Sequence, residues 1–197
     1  MQPKIILASA SPRRQALLRQ TGVPFEVVPS YLSEQIDKTR SPTETVRTLA
    51  ERKCATVAAQ HPNAFIIAAD TIVLLDGEIL GKPGSPEKAK EMLRKLSNRS
   101  HHVITGLAME WRAKEILEVL AVTTEVTFGS LTDELIESYV STGEPLDKAG
   151  AYGIQERGAV LVSSIKGSYS NVVGLPLYEV ARTLQRYLGS DVFFHNV

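Results

Sequence analysis

A single cysteine, Cys54, is present, so the chain forms neither an internal disulfide nor a multi-cysteine metal site. That suits a reducing compartment. Net charge is also missing: 22 basic residues balance 22 acidic ones. A general binder of nucleic-acid backbones needs an excess of cations, so that class is disfavoured. No apolar window reaches the length that crosses a bilayer. The run behind Met1-Gln2-Pro3-Lys4 is too short for a signal peptide. The expected location is therefore cytoplasmic. Repeats and low-complexity tracts are absent. So are a GxxxxGK[ST] loop, a GxGxxG fingerprint and a Gly-x-Ser-x-Gly elbow. His101-His102 lacks metal-ligand spacing, and Cys54 lies within a helical apolar stripe, where packing is its expected role.

What is present reads as α/β. The 197 residues, 43% hydrophobic and 22% charged, suffice for one catalytic domain over 1–190 with a tail at 191–197. Strand-like segments are expected at Ile5–Ala8, Phe25–Val28, Phe65–Leu75, Glu78–Leu80, His101–Trp111, Ile116–Phe128 and Val160–Val162. Helices are expected to start at Pro12, Pro42, Pro86 and Pro176, Leu131-Thr132-Asp133-Glu134 is read as capping another that ends near Ser141, and Gly167–Asn171 is read as loop. Ser41-Pro42-Thr43-Glu44 is a capping box with proline at the first helical position. Hairpins and crossovers both occur, so the sheet is mixed.

Three stretches carry chemistry. In Ala8-Ser9-Ala10-Ser11-Pro12-Arg13-Arg14, Ser11 is an N-cap and two arginines occupy the first turn. Cations are disfavoured at the positive end of a helix. The pair makes sense if an anion sits there, and equally as solvated arginines on a capped surface helix. Asp70 and Thr71 interrupt the most apolar run in the chain. A carboxylate there loses solvation unless it is paired, hydrogen-bonded or metal-bound. Lys53 follows Val46 by seven residues on the stripe formed with Leu49, Ala50, Cys54 and Val57. It must snorkel or meet an anion. Lys82 lies in a stiff Gly-Lys-Pro-Gly loop. Gln155 ends Asp147–Gln155, whose small residues permit close backbone approach; its amide can read a base edge, or be solvated. Glu34 sits in an acidic polar loop, and gains a role only if that loop covers a phosphate-bound metal.

Together these stretches resemble the Maf family of nucleoside triphosphate pyrophosphatases, from Ile5 to about Leu188. The resemblance rests on Ala8–Arg14, Ala68-Ala69-Asp70-Thr71, Gly81-Lys82-Pro83, Asp147–Gln155, and Gly167-Ser168-Tyr169 with Val173-Gly174-Leu175-Pro176. It implies a Maf and inosine-triphosphatase type of fold: an elongated mixed sheet flanked by helices, with a deep cleft between two lobes. It implies hydrolysis of a nucleoside triphosphate to monophosphate and pyrophosphate with a divalent metal, Mg²⁺ or Mn²⁺. Asp70 matches the family's proton acceptor, and Arg13, Thr71 and Gln155 match positions tied to substrate choice. Ser9, Arg14, Glu34, Lys53 and Lys82 match other cleft residues. On this reading Asp70, Lys53 and Lys82 are catalytic, Ser9, Arg13, Arg14, Thr71 and Gln155 bind substrate, and Glu34 with Asp70 holds the metal. The tract at Asp147–Gln155 resembles the dTTP/UTP branch, although Glu156-Arg157 is charged where a small or apolar pair is expected. The implied roles are nucleotide-pool cleaning and cell-division arrest, with a non-enzymatic regulator of septum formation as the alternative. The implied partners are dTTP and UTP, with no stable nucleic-acid complex, no membrane, and the assembly open between monomer and homodimer.

Overall fold

The computed structural model describes residues 2–32 and 40–193. In chain order the elements are β1 (Ile5–Leu7), α1 (Pro12–Arg19), β2 (Glu26–Val27), α2 (Pro42–Gln60), β3 (Phe65–Leu75) and β4 (Glu78–Leu80). There follow α3 (Pro86–Leu96), β5 (Ser100–Trp111), β6 (Ile116–Phe128), α4 (Asp133–Ser141), β7 (Val162–Lys166), α5 (Tyr169–Val173) and α6 (Leu177–Leu188). Short 3₁₀ turns lie at Arg112–Lys114, Glu144–Asp147, Ala149–Ala151, Arg157–Leu161 and Ser190–Val192. The strands form one mixed sheet in the order β2-β1-β3-β5-β6-β7, with β4 on β3. β1 runs parallel to β2 and β3, whereas β4 folds back antiparallel on β3 with Val73 opposite Leu80. The mixed α/β reading is therefore borne out.

Two units emerge: residues 1–70, 105–122 and 174–197, and residues 71–104 and 123–173. In the first, α2 packs on the sheet. Its capping box is complete, Ser41 and Glu44 each closing on the other's backbone. The stripe of Val46, Leu49, Ala50, Cys54 and Val57 is buried. Ala50, Cys54, Val57 and Ala58 meet Ile6, Ala8, Ile66, Ala68 and Ala108 in one apolar cluster. Gly106 on β5 marks how closely the helix lies. A Cβ there would fall 2.1 Å from the Val46 carbonyl oxygen, so only glycine lets the two backbones touch.

In the second unit, α3 and α4 pack together with the 3₁₀ turns of 144–151. An aromatic cluster fills its interior. Phe128 and Tyr152 lie 4.8 Å apart edge to face, and His101 stands edge-on to both.

Two elements depart from expectation. Val160–Leu161 ends a 3₁₀ turn, and the strand is Val162–Lys166, paired antiparallel with Glu125–Phe128. Of the apolar triplet at 160–162 only Val162 is strand, because pairing starts where Phe128 is reached; Val160 is 73% exposed. The Gly167–Asn171 stretch is not all loop, since α5 begins at Tyr169, with the Ser168 hydroxyl accepting from Asn171 N–H.

Candidate active site

The first unit places five of the expected residues. Asp70 falls on the buried strand β3 and Lys53 on the buried face of α2, each only 7% exposed. Lys53 Nζ donates to Asp70 Oδ1 at 2.5 Å. The lysine on the apolar stripe therefore meets an anion rather than snorkelling. Burial alone suggests that neutralising Asp70 spares the fold by removing a desolvation penalty, but the carboxylate offsets a buried ammonium, and deleting either charge breaks a buried pair.

The N-terminal turn is built as expected. Ser11 accepts from Arg14 N–H and Pro12 opens α1. The arginines then differ in use. Arg14 Nε donates to the Gly174 carbonyl at 2.8 Å, and Nη1 donates to the Ser9 hydroxyl at 3.3 Å. Ser9 Oγ also accepts from Ser11 N–H. Arg14 thus braces the turn against the start of the segment leading into α6. Arg13 is half-buried in the first turn of α1. Cys54 packs in the core, its thiol donating to the Ile66 carbonyl. Burial pushes the thiol far above its ordinary range, with Glu110 adding to the shift. It is no nucleophile at neutral pH.

The second unit places Thr71, Lys82 and Gln155. Thr71 follows Asp70 along β3, so the two side chains leave the strand on opposite faces. Lys82 is exposed between Gly81 and buried Pro83. Gly150 N–H donates to the Gly81 carbonyl at 3.1 Å, which ties the Lys82 loop to the Asp147–Gln155 tract. Close approach there is real. Gly150 has φ +69°, and a Cβ on it would strike Val73 at 2.9 Å. Ala151 follows with φ +60°, an uncommon conformation for a residue with a side chain. Gln155 is half-buried.

Sequence reasoning missed the residues that hold this tract. Tyr139 on α4, Glu144 and Lys148 bond to the backbone around Gln155 or to one another. Gly143-Glu144 after an amphipathic helix carries no local mark of such a role. The faint signal was Gly158, a glycine directly after a charged pair, which the fold buries.

Glu34 lies outside the described residues. Among the described residues no group of three or more His, Cys, Asp or Glu gathers to hold a metal ion. Mg²⁺ needs only one or two carboxylates beside substrate phosphates, so the oxygen donor of Asp70 suits a hard divalent cation. No helix among the described residues is long and apolar enough to cross a membrane.

Residues 4–187 match the family described as Maf-like protein. A dTTP/UTP pyrophosphatase of Halalkalibacterium halodurans is 52% identical over 185 residues, spanning 94% of this chain and 96% of the relative. A dTTP/UTP pyrophosphatase of Symbiobacterium thermophilum is 50% identical over 190 residues, covering 96% of each chain. Among solved structures, a HAM1 protein from Coxiella burnetii superimposes with a TM-score of 0.51 at 16% identity, over 94% of this chain and 100% of that one. The last likeness is one of fold.

Proposed function

Because the chain belongs to the Maf family, we propose that it hydrolyses dTTP and UTP to the monophosphate and pyrophosphate in the cytoplasm. The observation that carries this reading is the buried Asp70–Lys53 pair on β3 and α2, joined to relatives near 50% identity named for that activity. Neither a P-loop nor a serine elbow competes for the chemistry.

A triphosphate carries about four negative charges, so water does not attack the α-phosphorus until they are offset. Arg13, Lys53 and Lys82 supply cations, and Arg14 fixes the turn from which Ser9 and the α1 amides face an anion. Asp70 orients the attacking water and takes its proton, directly or through the water's contact with the metal that Asp70 would hold. The new bond joins that water oxygen to the α-phosphorus. The bond from the α-phosphorus to the bridging oxygen breaks, and pyrophosphate departs with the electron pair. Asp70 and Glu34 are the residues that would hold Mg²⁺ or Mn²⁺, which when bound offsets phosphate charge. Thr71 and Gln155 select the base. The Gln155 amide offers the donor and acceptor that match the O4 and N3–H edge shared by thymine and uracil. A site built on such bonds rejects bases that leave them unmade.

The test is a screen of dTTP, UTP, CTP, GTP and ATP with separate detection of pyrophosphate and orthophosphate. Pyrophosphate from dTTP and UTP, well ahead of the other three, is the expected result. Orthophosphate as first product would make the chain a phosphatase, and absence of turnover would favour a nucleotide-binding regulator.

A further inference from the structure

Gln155 lies within Gly153–Gly158, whose two ends are held by two side chains that are hydrogen-bonded to each other, Tyr139 at Gly153 and Glu144 at Arg157 and Gly158. Glu144 Oε1 accepts from Gly158 N–H at 3.2 Å, and Oε2 accepts from Arg157 N–H at 3.2 Å. The Tyr139 hydroxyl donates to Glu144 Oε1 at 2.9 Å and accepts from Gly153 N–H at 3.1 Å. The ends also touch directly, since a Cβ on Gly158 would lie 2.5 Å from the Gly153 carbonyl and 2.7 Å from the Tyr139 hydroxyl. Lys148 Nζ donates to the Glu144 carbonyl at 2.7 Å and fixes the backbone of the residue that does the fastening. Burial raises the Tyr139 phenol far above its usual value, so it remains a donor to the carboxylate throughout the working pH range.

We propose that Glu144 and Tyr139 are positioning residues for base selection: they close Gly153–Gly158 into a preformed loop that aims Gln155 at the base. This rests on the reading of Gln155 given above. Hydrogen-bond discrimination needs the reading group held to within a fraction of an ångström, because a loose loop lets the amide follow the wrong base. The charged pair Glu156-Arg157 is accommodated for the same reason. Arg157 contributes its backbone N–H to the clasp, and both side chains are exposed.

The experiment compares Glu144→Gln, Tyr139→Phe and Gln155→Ala. The amide of Glu144→Gln keeps one acceptor but turns a donor toward one of the two N–H groups. Tyr139→Phe deletes the hydroxyl alone and serves if the first variant fails to fold. The readouts are kcat and KM for UTP and CTP, and hydrogen exchange at the amides of Gly153, Arg157 and Gly158. The expected result is faster exchange at those amides and a fall of roughly tenfold in the UTP-to-CTP ratio of kcat/KM, the size of one lost positioned hydrogen bond. The fall should come mostly through KM for UTP. If Gln155→Ala collapses the ratio while both clasp variants keep it, the clasp proposal is wrong and the Gln155 reading stands. If Gln155→Ala keeps the ratio, both fail. A loss of kcat equal for both nucleotides would mark the clasp as merely structural and also overturn the proposal.

Discussion

At the scale of single residues, the decisive contact is the one between Asp70 and Lys53. Asp70→Asn removes the proposed base, and that loss alone lowers turnover by roughly 10²–10⁴-fold. It also strips Lys53 of the carboxylate at 2.5 Å, so stability should fall, by about 3–5 kcal/mol for a broken buried pair. Lys53→Met should destabilise similarly. The double variant, with both charges gone, should recover much of the stability but none of the turnover. Urea denaturation and turnover measured on the three proteins give the cycle, and additive losses in stability would mean that the pair does not couple. His101 makes a second prediction. It is fully buried, its Nε2 lies 2.8 Å from the Tyr152 hydroxyl, and burial, with His102 adding to it, lowers its pKa from 6.5 to about 4. Unfolded chains bind that proton near pH 6.5, and the native protein binds it only near pH 4. Stability from this group is thus fully present above pH 6.5 and drains away as pH falls toward 4, by on the order of 3 kcal/mol. In His101→Phe the slope of the urea midpoint against pH should flatten across that window, although the whole curve drops because Tyr152 loses its partner.

At the scale of elements, α2 carries the most weight. Its start is set by Ser41 and Glu44, its buried stripe by periodicity, and its depth by Gly106. Ser41→Ala should cost about 1 kcal/mol. Gly106→Ala should cost about 3 kcal/mol or more, because the added methyl meets backbone on α2 rather than a side chain that can turn aside. Val46, which it would strike, lies two helical turns before Lys53. A displaced helix would therefore move the ammonium off Asp70, and activity per folded molecule should fall along with the urea midpoint. Normal activity in a folded Gly106→Ala protein would show that the register of α2 is not what sets the pair.

At the scale of the whole molecule, a chain with no net charge must concentrate its cations locally to bind a highly charged substrate. The cations proposed for phosphate are Arg13 on α1 and Lys53 on α2 in the first unit, and Lys82 after β4 in the second. Divalent metal is expected to complete the neutralisation. Chelation with EDTA should abolish pyrophosphate release, and Mg²⁺ or Mn²⁺ should restore it. Full activity in chelator would remove Glu34 and Asp70 from any metal role.

Much of the fold is legible in the amino-acid sequence, for local reasons. Caps and prolines mark where α1, α2 and α3 begin, a 3.6-residue period marks the buried face of α2, and a long apolar run marks β3 as an inner strand. Asp70 stands out because it interrupts that run, and Lys53 because it shares a stripe with apolar neighbours. Partnership is not legible, because it is set by which elements the sheet order brings side by side. That Lys53 ends on Asp70, that Arg14 reaches the carbonyl of Gly174, and that Tyr139 and Glu144 together hold the two ends of the loop around Gln155 are facts of packing between residues apart in the chain. The shift of the last strand from Val160 to Val162 has the same origin. An apolar triplet states only that something is to be buried, and the hydrogen-bonding edge offered by Glu125–Phe128 decides which backbone becomes strand.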